Sequence, residues 1–167
     1  MSMPDTYTSV NKTGCCAVPN VEQWNEQIIE FREKRFIRMC TKSFMYVPRD
    51  MDQVMTKIQR KAEDADALMP ESEAMVLSRD LSPWKAEQLF AVSKEVPGVE
   101  NIFLSGQFAT KVFEGPYSDA KKWMTQTLEY VKKLGRTSDA IYFFYTTCPK
   151  CAEAYGKNFT ISFAKLN

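Results

Sequence analysis

The chain has 167 residues, of which 44% are hydrophobic and 26% charged, a balance typical of one globular domain with a substantial core. The net charge of +1 gives no electrostatic footprint for a nucleic-acid partner, and the absence of histidine excludes Ser-His-Asp and Cys-His catalytic sites. No apolar run is long enough to span a membrane. We therefore expect a cytoplasmic monomer or homodimer that has neither nucleic acid nor membrane as a partner.

The first part of the chain is predicted to be an irregular arm over residues 1–22, followed by a single domain over residues 23–167. Pro4, Gly14 and Pro19 interrupt the arm, and polar residues fill most of it. A hairpin is predicted next, with strands over 28–31 and 36–47 that flank a polar turn. A helix over 24–38 is the alternative, because the apolar residues there do not alternate strictly.

A helix is predicted to follow Pro48, with Asp50 as its N-cap. Val54, Ile58 and Ala62 recur at helical spacing and would form its buried stripe. Two strands are predicted after this helix, over 74–78 and 87–94, and the loop between them contains Trp84.

The same order of elements recurs in the second half of the chain. A strand is predicted over 102–114, and then a helix that Ser118 caps and Gly135 ends. The buried stripe of this helix would be Trp123, Thr127, Tyr130 and Val131. Strands over 140–145 and 158–164 complete the half.

This repetition predicts the fold class. Residues 36–96 and 97–166 are interpreted as two copies of a strand–helix–strand–strand unit, which would form an α+β domain with an antiparallel sheet and two helices on one face. The prolines before the helices align at an offset of 116 − 48 = 68. The last strands align at 158 − 87 = 71, which pairs Asn158 with Glu87 and requires an insertion in the second half.

Two motifs carry a resemblance to a known family. Residues 111–117, with the sequence KVFEGPY, run into an amphipathic helix, and residues 82–87, SPWKAE, enter a strand. Both resemble GyrI-like small-molecule-binding domains, and the order of elements agrees from Phe36 to Leu166. The resemblance implies a pocket for flat, lipophilic, often cationic ligands, with an acidic residue among aromatic ones. Trp24 and the sequence YTTCPKC over 145–151 resemble, more narrowly, small bacterial proteins called hydrolases.

Two glutamates are the candidate catalytic residues. Glu87 would share the inner face of its strand with Leu89 and Ala91, where burial suits a carboxylate to activate water or to pair with a cationic ligand. The alternative is a solvated strand end facing a lysine. Glu114 ends the long strand at the position that matches Tyr46 in the first half. It could orient water, or it could simply be favourable near a helix N-terminus.

The remaining ligand-binding candidates are mostly aromatic. Trp84, Tyr145 and Tyr155 could form walls that stack on a flat ligand and attract a cation, and Tyr46 and Asn158 would complete the pocket. The predicted function is therefore small-molecule binding, with hydrolysis by a Glu-activated water as a possible second step.

The cysteines support a function of another class. Cys148 and Cys151 form a CxxC motif, and Cys15 and Cys16 supply a second pair of thiols. Four thiolates could bind zinc, and a CxxC motif could undergo redox chemistry. The third interpretation is a set of free thiols packed between the arm and the loop. No cofactor is expected under the ligand-binding hypothesis, and zinc is the one metal that the cysteines would suit.

Overall fold

The computed structural model describes residues 4–6, 20–146 and 158–167. The chain divides into two compact units. We call Arg32–Ser105 the central unit, and Met1–Phe31 with Gly106–Asn167 the terminal unit. In chain order the elements are α1 (Val21–Trp24), β1 (Gln27–Phe44), β2 (Val47–Pro48), α2 (Met51–Asp64), β3 (Val76–Ser82), β4 (Lys85–Ala91), β5 (Glu100–Glu114), α3 (Ala120–Lys133), β6 (Ile141–Tyr145) and β7 (Phe159–Lys165), with 3₁₀ turns at Glu71–Glu73 and Tyr117–Asp119.

The central unit contains most of β1 together with α2, β3 and β4, and the terminal unit contains most of β5 together with α3, β6 and β7. In the central unit β4 pairs antiparallel with both β1 and β3, and in the terminal unit β7 pairs antiparallel with both β5 and β6. The predicted α+β class and the repeated strand–helix–strand–strand unit are therefore confirmed.

The hairpin predicted over 28–47 is wrong, and so is the alternative helix. β1 is one strand of 18 residues, and α1 contains only four. The charged residues after Phe31 stay in the strand, and one of them, Glu33, has a positive φ of 48°. Its N–H donates to Ser105 Oγ at 2.9 Å, so the backbone group remains bonded.

The helix α2 covers one face of the central unit's strands. Ile58 and Ala62 are fully buried and pack in one cluster with Ile37 and Val92, and Phe90 packs against this cluster. The predicted stripe is thus confirmed at Ile58 and Ala62, whereas Val54 is only partly buried. Asp50 does not cap the helix through its side chain. Its Oδ1 instead accepts a hydrogen bond from the N–H of Lys42 at 2.7 Å, near the end of β1. The carboxylate is therefore used by the strand and not by the first turn of α2.

A chain of hydrogen-bonded polar side chains lies on the same face, and two of its three members, Thr41 and Gln88, are buried. Gln88, only 1% exposed, donates to Thr41 Oγ1 at 3.3 Å, and Ser78 donates to Gln88 Oε1. Each strand of the central unit's sheet contributes one member. The hydrogen bonds offset the desolvation of these groups and tie the three strands together.

In the terminal unit α3 packs on the three strands β5, β7 and β6. Trp123 and Val131 belong to one buried cluster with Phe113 and Phe143. The hydroxyl of Thr127 donates to Ser162 Oγ at 2.8 Å, which fixes the helix to β7. The predicted stripe is confirmed, with Tyr130 only partly buried.

The predicted C-terminal end of α3 is correct, and the predicted N-terminal cap is wrong. Ser118 is not the cap, since it lies inside a 3₁₀ turn and α3 begins at Ala120. Gly135 ends the helix as predicted, with a φ of 71°. Its N–H donates to Lys132 O at 2.9 Å, and the N–H of Arg136 donates to Val131 O at 3.2 Å. These two bonds form a Schellman motif.

The N-terminal segment is fixed to the terminal unit by residues 4–6. The indole Nε1 of Trp24 donates to Asp5 O at 2.9 Å, and the N–H of Asn20 donates to Thr6 O at 3.0 Å. Thr6 is only 2% exposed. This part of the predicted arm is therefore held by backbone carbonyls, while residues 7–19 lie outside the description.

Candidate functional site

The candidate residues fall in both units. Tyr46, Trp84 and Glu87 belong to the central unit, and Glu114, Tyr145 and Asn158 belong to the terminal unit. The remaining candidates lie outside the described residues: Tyr155, Cys15, Cys16, Cys148 and Cys151.

Glu87 is a buried carboxylate held between two guanidinium groups. It is 5% exposed; its Oε2 accepts from Arg38 Nε at 2.8 Å and its Oε1 from Arg79 Nε at 3.1 Å. The hydrogen bond to Glu87 raises the pKa of the Arg38 guanidinium above its already high value. Arg38 also approaches the exposed Glu100, with Nη1 at 3.6 Å from Oε2. Glu87 is therefore not the solvated strand end of the alternative hypothesis.

The face of β4 on which Glu87 lies is opposite to α2. Phe90 packs with the helix cluster, and side chains alternate along a strand, so Glu87 and Leu89 point to the other face. The expected inward orientation is correct, but the alignment of Glu87 with Asn158 is wrong. Asn158 has the parity of Ser162, which contacts α3, and an odd offset of 71 exchanges the two faces.

Tyr46 and Trp84 lie together at one end of the central unit. The N–H of Tyr46 donates to Pro83 O at 2.9 Å, and the N–H of Ser43 donates to Trp84 O at 2.8 Å. The indole of Trp84 meets the ring of Phe44 edge-on, with centroids 5.5 Å apart. Both candidate side chains are about half exposed, at 51% for Tyr46 and 54% for Trp84.

Asn158 lies beside Gly115 at the corresponding end of the terminal unit. Its Nδ2 donates to Gly115 O at 2.7 Å, and the N–H of Gly115 donates to Asn158 O at 3.1 Å. The Oδ1 of Asn158 is buried and has no hydrogen-bond partner among the residues that the structure describes, and the same holds for Oγ1 of Thr160. A buried acceptor left unbonded costs free energy, so each calls for an explanation.

Aromatic residues flank Thr160 on the two neighbouring strands. The register pairs Thr160 with both Tyr145 and Phe113, so the three side chains share the α3 face. Tyr145 meets Tyr117 edge-on, with centroids 5.2 Å apart and an interplanar angle of 88°. On its other side Tyr145 contacts Phe143 at 6.1 Å.

Asp119 is an acidic residue near Gly115 that was not among the predicted site residues. Asp119 directly precedes α3, is half-buried and does not cap the helix through its side chain. Gly115, whose φ is 143°, leaves room for it: a Cβ there would lie 3.3 Å from Asp119 Oδ2 and 3.8 Å from the ring of Trp123. The signal in the sequence was the glycine, since a side chain at that position would meet the carboxylate.

We call Tyr117, Asp119, Tyr145 and Asn158 the aromatic–acidic cluster. Glu114 is not part of it, although it is only one residue from Gly115. The register pairs Glu114 with Phe159, and this parity puts its exposed side chain on the opposite face of the sheet from Tyr145 and Asn158. The structure thus brings together Tyr145 and Asn158, and leaves Glu114 apart from them.

Metal binding finds no support in the described part of the chain. Over residues 4–6, 20–146 and 158–167, no group of three or more His, Cys, Asp or Glu side chains could hold a metal ion. Cys40 is the one cysteine within these ranges, and it is a free thiol.

A family model described as "Bacterial hydrolase" matches residues 6–166. The chain belongs to this family. No curated protein matches the chain. Sixteen chains of solved structures do match it, and this likeness of fold agrees with the predicted GyrI-like fold.

Three of these structures cover 86% of this member of the bacterial hydrolase family. A hydrolase from Listeria innocua has a TM-score of 0.61 at 10% identity over 92% of its own chain. EcmrR, solved in a complex with DNA, has a TM-score of 0.64 at 11% identity, but only 57% of its chain is covered. SAV2435, solved bound to tetraphenylphosphonium, has a TM-score of 0.53 at 11% identity over 94% of its chain.

The helices bear on membrane insertion. In the ranges that the structure describes, none of them combines the length and the apolar character needed to cross a bilayer.

Proposed function

We propose that this protein binds a lipophilic, positively charged small molecule at the aromatic–acidic cluster of the terminal unit. The observation that carries the proposal is the buried Oδ1 of Asn158, which has no hydrogen-bond partner among the described residues. Asn158 bonds to Gly115, and Gly115 in turn lies close to the carboxylate of Asp119. A ligand that presents positive charge to Oδ1 of Asn158 would remove the cost of leaving it unbonded.

The chemistry of the cluster suits such a ligand. The faces of tyrosine rings carry negative potential and attract cations, and the two rings of Tyr117 and Tyr145 stand at right angles. The carboxylate of Asp119, which lies close to Gly115, adds negative charge to the site. Few polar groups among apolar walls are typical of small-molecule sites. The tetraphenylphosphonium bound to SAV2435 supports the same class of ligand.

The proposal does not use Glu87. Its two oxygens already accept hydrogen bonds from Arg38 and Arg79, so its negative charge is neutralised within the central unit. A cationic ligand would have to displace a guanidinium group to reach this carboxylate. We assign Glu87 a structural role.

The test is calorimetric titration with tetraphenylphosphonium. Asp119→Asn keeps the shape of the side chain and removes its charge, so we expect binding to weaken by about tenfold, or ~1.4 kcal/mol. Glu129→Gln is the matched control, because Glu129 is an exposed acid on the same α3. Equal weakening in both variants would indicate a general effect of net charge and would refute the site. Unchanged binding in Asp119→Asn would refute it as well.

Hydrolysis is a second proposal, which the description of the family favours. A general base takes a proton from water in this chemistry, and we propose Glu114 for that role because it is exposed to solvent at the end of β5. A chromogenic ester with a long acyl chain tests it. Glu114→Gln should abolish turnover and leave tetraphenylphosphonium binding unchanged. An ester that is cleaved equally by Glu114→Gln would eliminate this residue as the base.

A further inference from the structure

The end of the central unit carries a group of exposed apolar side chains. We call Phe44, Met45, Tyr46, Val47 and Trp84 the hairpin tip. Their exposed fractions range from 51% to 63%, although all five are large apolar or aromatic residues. Isolated exposed apolar residues are normal, but a contiguous group indicates an interaction surface.

The backbone projects this group outward. Phe44 pairs with Val47, so Met45 and Tyr46 form a two-residue hairpin turn. Both have positive φ, 49° for Met45 and 70° for Tyr46, which is the conformation of a type I′ turn. Asn-Gly is the usual sequence there, because other residues are strained at positive φ. The turn therefore accepts strain and presents two large apolar side chains at its apex.

Cations flank the tip. Lys42 of β1 and Lys85 of β4 are directly opposite each other in the register, and both are exposed. Like charges in this position destabilise a sheet. The guanidinium of Arg49 lies 4.9 Å from the centroid of the Phe44 ring. The nearby carboxylate of Asp50 is already engaged by the N–H of Lys42 at 2.7 Å.

We propose that the hairpin tip docks on the surface of an anionic lipid bilayer. Tryptophan and tyrosine favour the boundary between water and lipid, and flanking lysine and arginine residues are attracted to anionic headgroups. A bilayer would bury the apolar apex and neutralise the opposed lysines at the same time. Such peripheral binding needs no spanning helix.

The charges and the shape of the tip favour this occupant over two others. In a symmetric dimer the same surface would face itself, so the cations of one copy would meet those of the other. A small molecule requires a concave site, whereas the apex of a two-residue turn is convex. A fluid surface of negative charge satisfies both constraints.

The test compares vesicles of phosphatidylcholine alone with vesicles that also contain phosphatidylglycerol. Of the three tryptophans only Trp84 is exposed, since Trp24 and Trp123 are buried at 0% and 3% exposure. A blue shift of tryptophan emission with the anionic vesicles would thus report entry of the tip into lipid. Co-sedimentation measures the bound fraction, and binding should weaken as salt is added.

The decisive variant is Met45→Asn with Tyr46→Gly. It installs the sequence that the turn prefers, so the fold is retained while two apolar anchors are lost. We expect the emission shift to disappear and affinity for anionic vesicles to fall by about tenfold or more. Lys85→Ser should weaken affinity by roughly fivefold. Phe103→Ser, at another exposed apolar residue that is 53% exposed, is the control and should bind like the wild type.

Three results would overturn the proposal. The first is the absence of binding to either vesicle. The second is binding that is unaffected by the double variant or lost equally in Phe103→Ser. The third is a dimer without vesicles that the double variant dissociates, because the occupant would then be a second copy of the chain.

Discussion

Glu87 is predicted to stabilise the fold through its ion pairs. A buried carboxylate is costly to desolvate, and the guanidinium groups of Arg38 and Arg79 offset that cost. Removing the charge leaves two partly buried cations without their acceptor. We expect Glu87→Gln to lower the free energy of unfolding by about 1–3 kcal/mol in urea titrations.

Glu100→Gln is the matched control for this prediction. Glu100 approaches the same Arg38 at 3.6 Å, but its side chain is 56% exposed. Exposed pairs contribute little, so its loss should cost at most about 0.5 kcal/mol. Equal costs for the two variants would contradict the assigned role of Glu87.

The sequence could predict that Glu87 faces inward, but not what it contacts. The apolar neighbours Leu89 and Ala91 give the parity of the strand. The two arginines belong to other strands, so their contact with Glu87 depends on the register of the sheet. Glu87 is opposite Arg79 on β3 and opposite Cys40 on β1, which is two residues from Arg38. Asp119 was not predicted for a related reason, because its closeness to Gly115 depends on the path of the chain into α3.

Among the elements, the β1–β2 turn gives a second prediction. Met45 and Tyr46 hold positive φ values that Asn and Gly adopt at lower cost. In the absence of lipid, Met45→Asn with Tyr46→Gly should raise the free energy of unfolding by about 1–2 kcal/mol. Both side chains are more than half exposed, so little burial is lost. A less stable double variant would show that the exposed side chains support the fold themselves.

The C-terminus of α3 gives a third prediction. Gly135 has a φ of 71°, so Gly135→Ala should lower the melting temperature, at a cost of about 1–2 kcal/mol. Gly135→Asn should cost less, because asparagine tolerates this region of backbone space. The ranking Gly, Asn, Ala in thermal unfolding tests the argument, and an alanine variant as stable as the wild type would disprove it.

Helix ends and strand continuity were the elements that the sequence predicted least well. Asp50 is a residue type that favours the N-cap position, but its carboxylate accepts a hydrogen bond from the backbone N–H of Lys42 instead. The polar residues after Phe31 had the composition of a turn, yet β1 continues through them. In both cases a contact made by a strand overrode a local preference. The buried stripes of both helices were predicted well, because their periodicity is a property of the helix alone.

For the molecule as a whole, the N-terminal tie to Trp24 supports a fourth prediction. Removing residues 1–6 deletes the acceptor of the indole N–H, which lies 2.9 Å from Asp5 O. Trp24→Phe deletes the donor. In a double-mutant cycle the two changes should couple by about 1 kcal/mol, the net contribution of a neutral hydrogen bond. Additive effects in urea unfolding would mean that this bond does not stabilise the fold.

The duplication was predictable at the level of the whole molecule, and its alignment was not. Proline positions revealed two similar halves, whereas the correct pairing of strands depends on which face meets each helix. With helix-facing positions aligned, Ser162 of β7 corresponds to Gln88 of β4, an offset of 162 − 88 = 74. An odd offset cannot satisfy this condition, and no feature of the composition distinguishes odd from even.

The hydrogen-bonded chain of Ser78, Gln88 and Thr41 has a consequence for how the protein reaches its fold. If β4 slipped by one residue during folding, Gln88 would leave its partners and the charge of Glu87 would turn toward the apolar cluster under α2. Such a misaligned intermediate would lose hydrogen bonds and bury a charge without its arginines. The same three side chains that tie the native strands together therefore make a register shifted by one residue less stable than the native register. They disfavour such misaligned pairing during folding.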